Sequence, residues 1–428
     1  MVGAHMKFKI TSALVALVAF TASAQRYAII AHTNGTGTLT YTNTFYTGVE
    51  TLEGQSNKQW VVLKNFFTTQ KVGQETVTLP PGYTKFRARA LSVAAGNAYT
   101  HLPAAYGNIH TIAGKGLVPP GTNAWLPQYE GDYATNVFLS RPRAAQADTA
   151  GNIYIVEEDG NAVDVITTDG RIQTFIGQHI QGDDDDTANP GTSTLLNKPT
   201  GLWINGTAVY VLDAGNGRVR VLDDTAFIRT IFRDPSGPIA NAGGLWVKPD
   251  GTEIFFTAGT ELRRWTSDTG VQVFATDFLH LASVTRNLID QIIVVDRGDN
   301  RVLRVRNNGS HLDSDVQAGD GLLRSFQQGG KAKSVSLPGA SSIWYPPIGG
   351  YFVALNEGAR VWYVDESKNA APIIAGGPGV HKGDGKWFRS AGKKIGEVES
   401  FVLTPSGDML ITEATGYIRK IDFLRHRP

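Results

Sequence analysis

From Arg141 onward the apolar positions gather in short runs, cut by turns rich in Gly, Asn and Asp. The most apolar runs are IYIV at Ile153, VYVL at Val209, IFFT at Ile254, IIVV at Ile292, YFVAL at Tyr351 and MLIT at Met409. A shorter apolar segment and a turn such as DTAGN, KPDG or TPSGD precede each one. A second turn and an alternating segment such as RVRVL or RVLRV follow, and a third turn (TTDG, SDTG, RNNG) leads into an outer segment. Short runs bounded by turn residues predict β-strands, four to a unit. Tyr154, Tyr210, Phe255, Ile293, Phe352 and Met409 occupy matching positions, roughly 40 to 60 residues apart, the length of a four-stranded blade plus a linker.

Four short strands cannot bury both faces alone, so the units must stack around an axis. The pattern predicts an all-β fold, a six-bladed β-propeller over 108–424, with seven blades as the alternative count. The sixth unit runs out of chain after its third strand, near Phe423. Far upstream, NIHTIAGKG at Asn108–Gly116 repeats the outer-strand endings TFIG at Thr174 and IIAGG at Ile373. Ile109–Ala113 is therefore expected to supply the missing strand, closing the ring and removing two sheet edges. Ahead of it, residues 25–100 alternate as strands divided by Gly, Asn and Pro turns. They predict a small β-sandwich of immunoglobulin or fibronectin type, with Asn97–Tyr106 as linker.

The first 24 residues read as a targeting segment. MVGAH, before Met6, is a short leader foreign to the chain proper. Lys7 and Lys9 then precede an apolar stretch, Ile10 to Phe20, and Ala22-Ser23-Ala24 offers a small-x-small cleavage pattern before Gln25. The run is too short for a membrane span, so the expected location is secreted or periplasmic. Cysteine is absent, which excludes thiol nucleophiles, Cys-ligated zinc, iron–sulfur clusters and c-type haem. With 40 Lys+Arg against 39 Asp+Glu, there is no basic surplus to suit nucleic acid.

The runs SRPRAAQADTAGNIYIVEEDGNAV, KPTGLWINGTAVYVLDAGNGRVRVL and VVDRGDNRVLRV resemble NHL repeats. The TIAGKG opening and the downstream GDYATNVFLSRP are similar to the linkers of bacterial secreted NHL proteins. The resemblance spans about 108–424 and implies the propeller. It leaves function open, because that family includes scaffolds, sensor domains and a few enzymes. Blades three and five lack the Asp-x-x-Asn-x-Arg turn.

In a propeller the turns between second and third strands share the top face with the linkers between blades. Long loops converging on a rigid scaffold are where function concentrates. The top should carry Glu157, Asp213, Arg218, Asp296, Arg297, Arg301, Asn356, Arg360 and Glu413, a candidate ligand-binding rim. The plainer account is that Asp213 with Arg218, and Asp296 with Arg301, brace their own turns.

The first-strand starts ring the channel mouth: Arg143, Thr200, Gly243, Ala282, Ser341 and Glu399. Arg143 and Glu399 come from blades that become neighbours on closure and would pair. Together with His280, two residues before the ring position of blade four, they form the candidate catalytic set, with a His or Glu as general base. Trp203, Trp246 and Trp344 repeat three positions further on and are expected to pack between blades.

No metal site is expected. Asp183–Asp186 is a four-carboxylate run without the alternating spacing of a calcium loop, and it reads as a solvated linker. Calcium is the one cofactor the run suggests, and only weakly. His179 and His381, in separate top linkers, show no zinc spacing. No G-x-S-x-G elbow or P-loop is present. The resulting expectation is an exported binding or scaffold module holding a protein or carbohydrate on its top face. The alternative is a polysaccharide or amide-type lyase, or a hydrolase, acting at the channel mouth.

Overall fold

A computed structural model describes residues 26–424, apart from 33–34, 84, 94–97, 185–188, 325–327 and 391. The targeting segment, and Asp185 and Asp186 of the acidic run, lie outside the described residues.

Between Asn108 and Ile421 the strands form six antiparallel sheets of four or five strands. Their first strands are Pro142–Ala147, Gly201–Asn205, Leu245–Val247, Leu281–Arg286, Ala340–Trp344 and Val398–Leu403. Each of these touches the next, and the last touches the first, so they form a closed cycle around an axis. The second strands behind them are buried throughout or nearly so, as in VYVLD at Val209–Asp213 and YFVAL at Tyr351–Leu355. Such uniformly apolar strands are what a sheet covered on both faces requires.

The strand Asn108–Ala113 pairs antiparallel with Tyr417–Ile421, so the last sheet is built from both ends of the repeat region. Linkers extend three sheets by a short outer strand. Asn189–Pro190 pairs with Phe227–Ile228, Gly330–Lys331 with Asn369–Ala370, and Lys386–Trp387 with Asn108–Ile109. These additions cover outer edges that would otherwise offer free backbone groups.

The N-terminal segment folds as two three-stranded antiparallel sheets. One orders Arg26–Ala31, Thr36–Thr42 and Val72–Thr78; the other orders Gln59–Thr68, Gly48–Ser56 and Lys85–Ser92. Tyr27, Ile29, Leu39, Tyr41, Leu52, Val77 and Phe86 form their common core. The expected linker instead contains a short helix, Ala98–Ala104. Apolar burial accounts for it: Leu102, Ala105 and Tyr106 pack into a core shared with Phe352, Phe401 and Phe423. Phe67 stacks on Phe423 at 4.4 Å between ring centroids, and the Tyr106 hydroxyl donates to the Gly407 carbonyl at 2.8 Å. The N-terminal sheets thus rest on the last two blades, beside the turn of Thr404–Asp408.

Tryptophans fill the axis. Trp203 lies 6.3 Å from Trp246, its neighbour around the ring, and 6.3 Å from Trp344, which comes from the opposite sheet. Packing between adjacent blades therefore describes only half of their arrangement. Indoles from opposite sides meet because the ring is narrow there, and large aromatics bury well in contact with one another.

Candidate functional site

The top of the channel holds a cavity of about 390 Å³. Its lining mixes the polar Arg141, Arg143, Glu158, Lys198, His280, Arg297 and Glu399 with the apolar Pro238, Ile239, Ala240, Ala242 and Leu281. Arg143, His280 and Glu399 share this one space. Arg143 Nη1 donates to Glu399 Oε2 at 3.0 Å, and its Nε lies 3.3 Å from Glu158 Oε2. Glu399 also accepts from Asn356 Nδ2 at 2.7 Å and stands 4.0 Å from Arg297 Nη1. Glu158 further accepts from Arg141 Nη1 at 3.0 Å.

Lys198 and the imidazole of His280 have no side-chain hydrogen-bond partner among the described residues. Burial, and then the nearby Arg297 guanidinium, hold the His280 pKa below its usual value; Arg143 adds to this and Asp296 opposes it. The imidazole is therefore neutral at physiological pH, with a lone pair available. Its position comes from Asp296, whose carboxylate accepts the backbone N–H groups of Leu279 and His280, both at 2.9 Å.

Asp296 exemplifies a recurrent device. The acid ending the second strand turns back and binds the linker just before the first strand. Glu157 accepts from the Ser140 N–H at 2.7 Å, and Asp213 from the Asn197 N–H at 2.8 Å. Both are fully buried. Asp213 also accepts from Arg218 Nε at 3.0 Å, the expected brace. Arg301 differs: it pairs with Asp299 at 3.0 Å, because Asp296 is occupied by backbone donors. Arg360 donates to the Gly358 carbonyl at 2.7 Å. Glu413 is buried against Arg419. Of the nine rim candidates only Arg297 lines the cavity, and Asn356 reaches it through Glu399. The others bind within their own turns or to the adjacent linkers.

In the acidic linker Asp183 stays exposed, as expected, while Asp184 is drawn inward. Asp184 binds Arg218 Nη2 at 3.0 Å and Arg220 Nη1 at 2.7 Å, and Asp183 also contacts Arg218. Both arginines are fully buried on the third strand, so the linker carboxylates serve as their counter-charges. Asp384 does the same for Arg419, at 2.7 Å. The first repeat sheet inverts this pattern. Its third strand carries Asp164, fully buried, where the second and last sheets carry Arg220 and Arg419. His179 Nε2 stands 3.2 Å from Asp164, and its ring stacks on Trp125 at 4.0 Å. His381 stacks on Tyr417 at 3.6 Å. The two histidines thus belong to separate aromatic contacts. Among the described residues no group of three or more His, Asp or Glu is placed to hold a metal ion.

Sequence reading missed Arg141, Lys198 and Asn241 at the mouth. The register that singled out His280, two residues before the ring position, selects all three in the first three repeat sheets.

No family model matches the chain, and no curated protein matches it. Solved structures do. A structural-genomics protein of unknown function from Bacteroides thetaiotaomicron VPI-5482 matches at TM-score 0.59 and 11% identity, covering 90% of this chain and 94% of that one. An auxiliary nutrient binding protein from the same organism matches at TM-score 0.55 and 12% identity, again over 90% and 94%. Another, from Bacteroides ovatus ATCC 8483, matches at 0.53 and 11% over the same shares. The chain is a β-propeller protein. At these identities the likeness is one of fold, and its span takes in the N-terminal sheets as well as the repeat region. No helix among the described residues is long and apolar enough to cross a membrane.

Proposed function

We propose that this is an exported NHL-type propeller of six blades, closed by Asn108–Ala113, whose top cavity binds a small anionic carbohydrate. The N-terminal sheets serve as a fibronectin-like sandwich that braces the last two blades. The carrying observation is the balance of charge around the cavity: four cationic side chains, Arg141, Arg143, Lys198 and Arg297, face two carboxylates, Glu158 and Glu399. The space is on the scale of small-ligand sites, about 300–1,000 Å³, and too small to seat a protein surface. Its apolar stretch Pro238–Ala240 suits the C–H face of a sugar, while the cationic donors suit carboxylate and hydroxyl oxygens. The solved nutrient-binding proteins share the scaffold, which agrees with a binding role.

Calorimetric titration tests this with galacturonate and, as the neutral control, galactose. Galacturonate should bind and galactose should bind far more weakly. Arg297→Ala should cut galacturonate affinity about tenfold, because a hydrogen bond to a charged group contributes roughly 1.5–3 kcal/mol. Equal affinity for the two sugars, or an unaffected Arg297→Ala variant, contradicts the reading.

One observation favours a second reading. A neutral, unpartnered imidazole beside an arginine–carboxylate pair is the arrangement of a general base next to an anion-stabilising group. On this reading the site is that of a lyase or hydrolase, with His280 accepting the proton and Arg143 or Arg297 stabilising the developing negative charge. Screening acidic polysaccharides for new reducing ends or unsaturated products tests it. His280→Ala should lower any such activity by about 10²–10⁴-fold. Activity that survives the substitution removes His280 from the chemistry.

A further inference from the structure

Two positions before each ring residue, the chain enters its first strand. In the first four repeat sheets this position holds Arg141, Lys198, Asn241 and His280, and all four side chains line the cavity. In the fifth it is Gly339, and in the sixth Glu397; neither faces the cavity. The donors thus form an arc over four successive blades.

The backbone at these positions is unusual. Arg141, Lys198 and Asn241 have φ of +58°, +46° and +51°, as Gly339 has +62°. The entry turn demands a left-handed residue, and at Gly339 glycine meets the demand. A Cβ there would lie 2.7 Å from the Glu357 nitrogen. At Arg141 and Lys198 the conformation is doubly disfavoured: a side chain opposes positive φ, and the following Pro142 or Pro199 pushes its predecessor toward extended backbone. Glycine would hold the same turn without strain. Long cationic side chains stand there instead, both exposed at the mouth. Lys198 and Asn241 make no side-chain hydrogen bond to a described residue, and Arg141 only the solvent-side pair with Glu158. Strain retained where a simpler residue would serve is a mark of a binding site.

We propose that Arg141, Lys198, Asn241 and His280 form an extended subsite that reads an acidic oligosaccharide lying across the channel mouth, with carboxylates on Arg141 and Lys198 and hydroxyl oxygens on Asn241 and His280. This rests on the reading of the cavity as an anionic-carbohydrate site and adds the form of the ligand. A lone anion would need its donors clustered at one point. Donors spread over four blades need acceptors spread along a chain.

The test titrates tetragalacturonate and the galacturonate monomer into the wild type and into Arg141→Gly and Lys198→Gly. The tetramer should bind the wild type at least about tenfold more tightly than the monomer. Each glycine variant should lose about tenfold in tetramer affinity, and the ratio of tetramer to monomer affinity should fall with it. Thermal melts supply the second readout. Because glycine relieves the left-handed strain, Tm should hold steady or rise by about 1–2 °C, so lost affinity cannot reflect lost folding. Tetramer and monomer binding alike, or glycine variants that bind the tetramer as the wild type does, overturn the subsite and leave the monomer cavity standing. A Tm that falls together with affinity for both ligands assigns these residues to the fold and also overturns it. A wild type that binds neither acidic sugar ends the cavity reading, and the subsite with it.

Discussion

Arg419→Met is expected to cost about 3–5 kcal/mol of stability, the range for breaking a buried ion pair by removing one partner. Arg419 is fully buried on the last strand of the repeat region. Its Nη2 donates to Asp384 Oδ1 at 2.7 Å and to the Lys382 carbonyl at 3.1 Å; its Nη1 reaches the Lys394 carbonyl at 3.1 Å and Glu413 Oε1 at 3.3 Å. Asp384 in turn accepts from Thr111 Oγ1 at 2.6 Å, on the strand that comes from the other end of the ring. One guanidinium thus ties linker, blade and closing strand together. Methionine keeps much of the volume and leaves the buried Glu413 side chain without its arginine partner. A Tm loss of roughly 4–6 °C should follow, and adding Glu413→Gln should recover part of it. Lys420→Met, the next residue and half-exposed, should change stability by about 0.5 kcal/mol at most. An Arg419→Met variant no less stable than Lys420→Met would show that the network does not hold the closure.

The second large effect concerns the inverted sheet. Burial pushes the Asp164 carboxyl up to about 8, with the help of Glu130. Glu157 is raised well above the usual carboxylate range, first by burial and then by Asp164. A folded-state pKa above the unfolded one means that the folded chain keeps a proton the unfolded chain has released. Stability from this source is present at low pH and falls as pH rises toward about 8. Burial lowers His179, with the opposite sign, but that contribution is complete once pH passes the ordinary histidine value near 6.5. Between pH 6.5 and 8 the carboxyls act alone, and Asp164 should lower stability by on the order of 2 kcal/mol. Glu50 in the N-terminal sheets, raised by burial to about 7, adds in the same direction up to that pH. Asp164→Asn, which cannot ionise, should melt within about 1–2 °C of the wild type at pH 5 and clearly above it at pH 8. Parallel Tm curves for the two proteins across this range would rule out a titrating Asp164.

The scaffold was legible because its grammar is local. Apolar runs such as VYVL and IIVV mark strands whatever surrounds them, and NIHTIAGKG resembles TFIG because both form the same outer strand. The mouth was legible in part for the same reason: register places Arg143, His280 and Glu399 on one rim, and they share one cavity. What sequence could not give was the state of each acid and arginine. Asp213, Asp296 and Arg301 sit in turns of the same appearance, yet Asp213 pairs with its arginine while Asp296 is consumed by backbone N–H groups. That choice depends on where a neighbouring linker runs, a long-range fact. Asp184 looked solvated for the same reason, since Arg218 and Arg220 lie on a strand more than thirty positions away. Left-handed backbone at Arg141 and Lys198 leaves no trace in composition, because those residue types normally avoid it.

The most direct test of the cavity reading is a crystal structure of the chain soaked with galacturonate. The account predicts sugar density at the top of the channel, its carboxylate within about 3 Å of a nitrogen of Arg297 or Arg143 and its C–H face toward Pro238–Ala240. An empty cavity at saturating sugar, or density only outside this cavity, would contradict it.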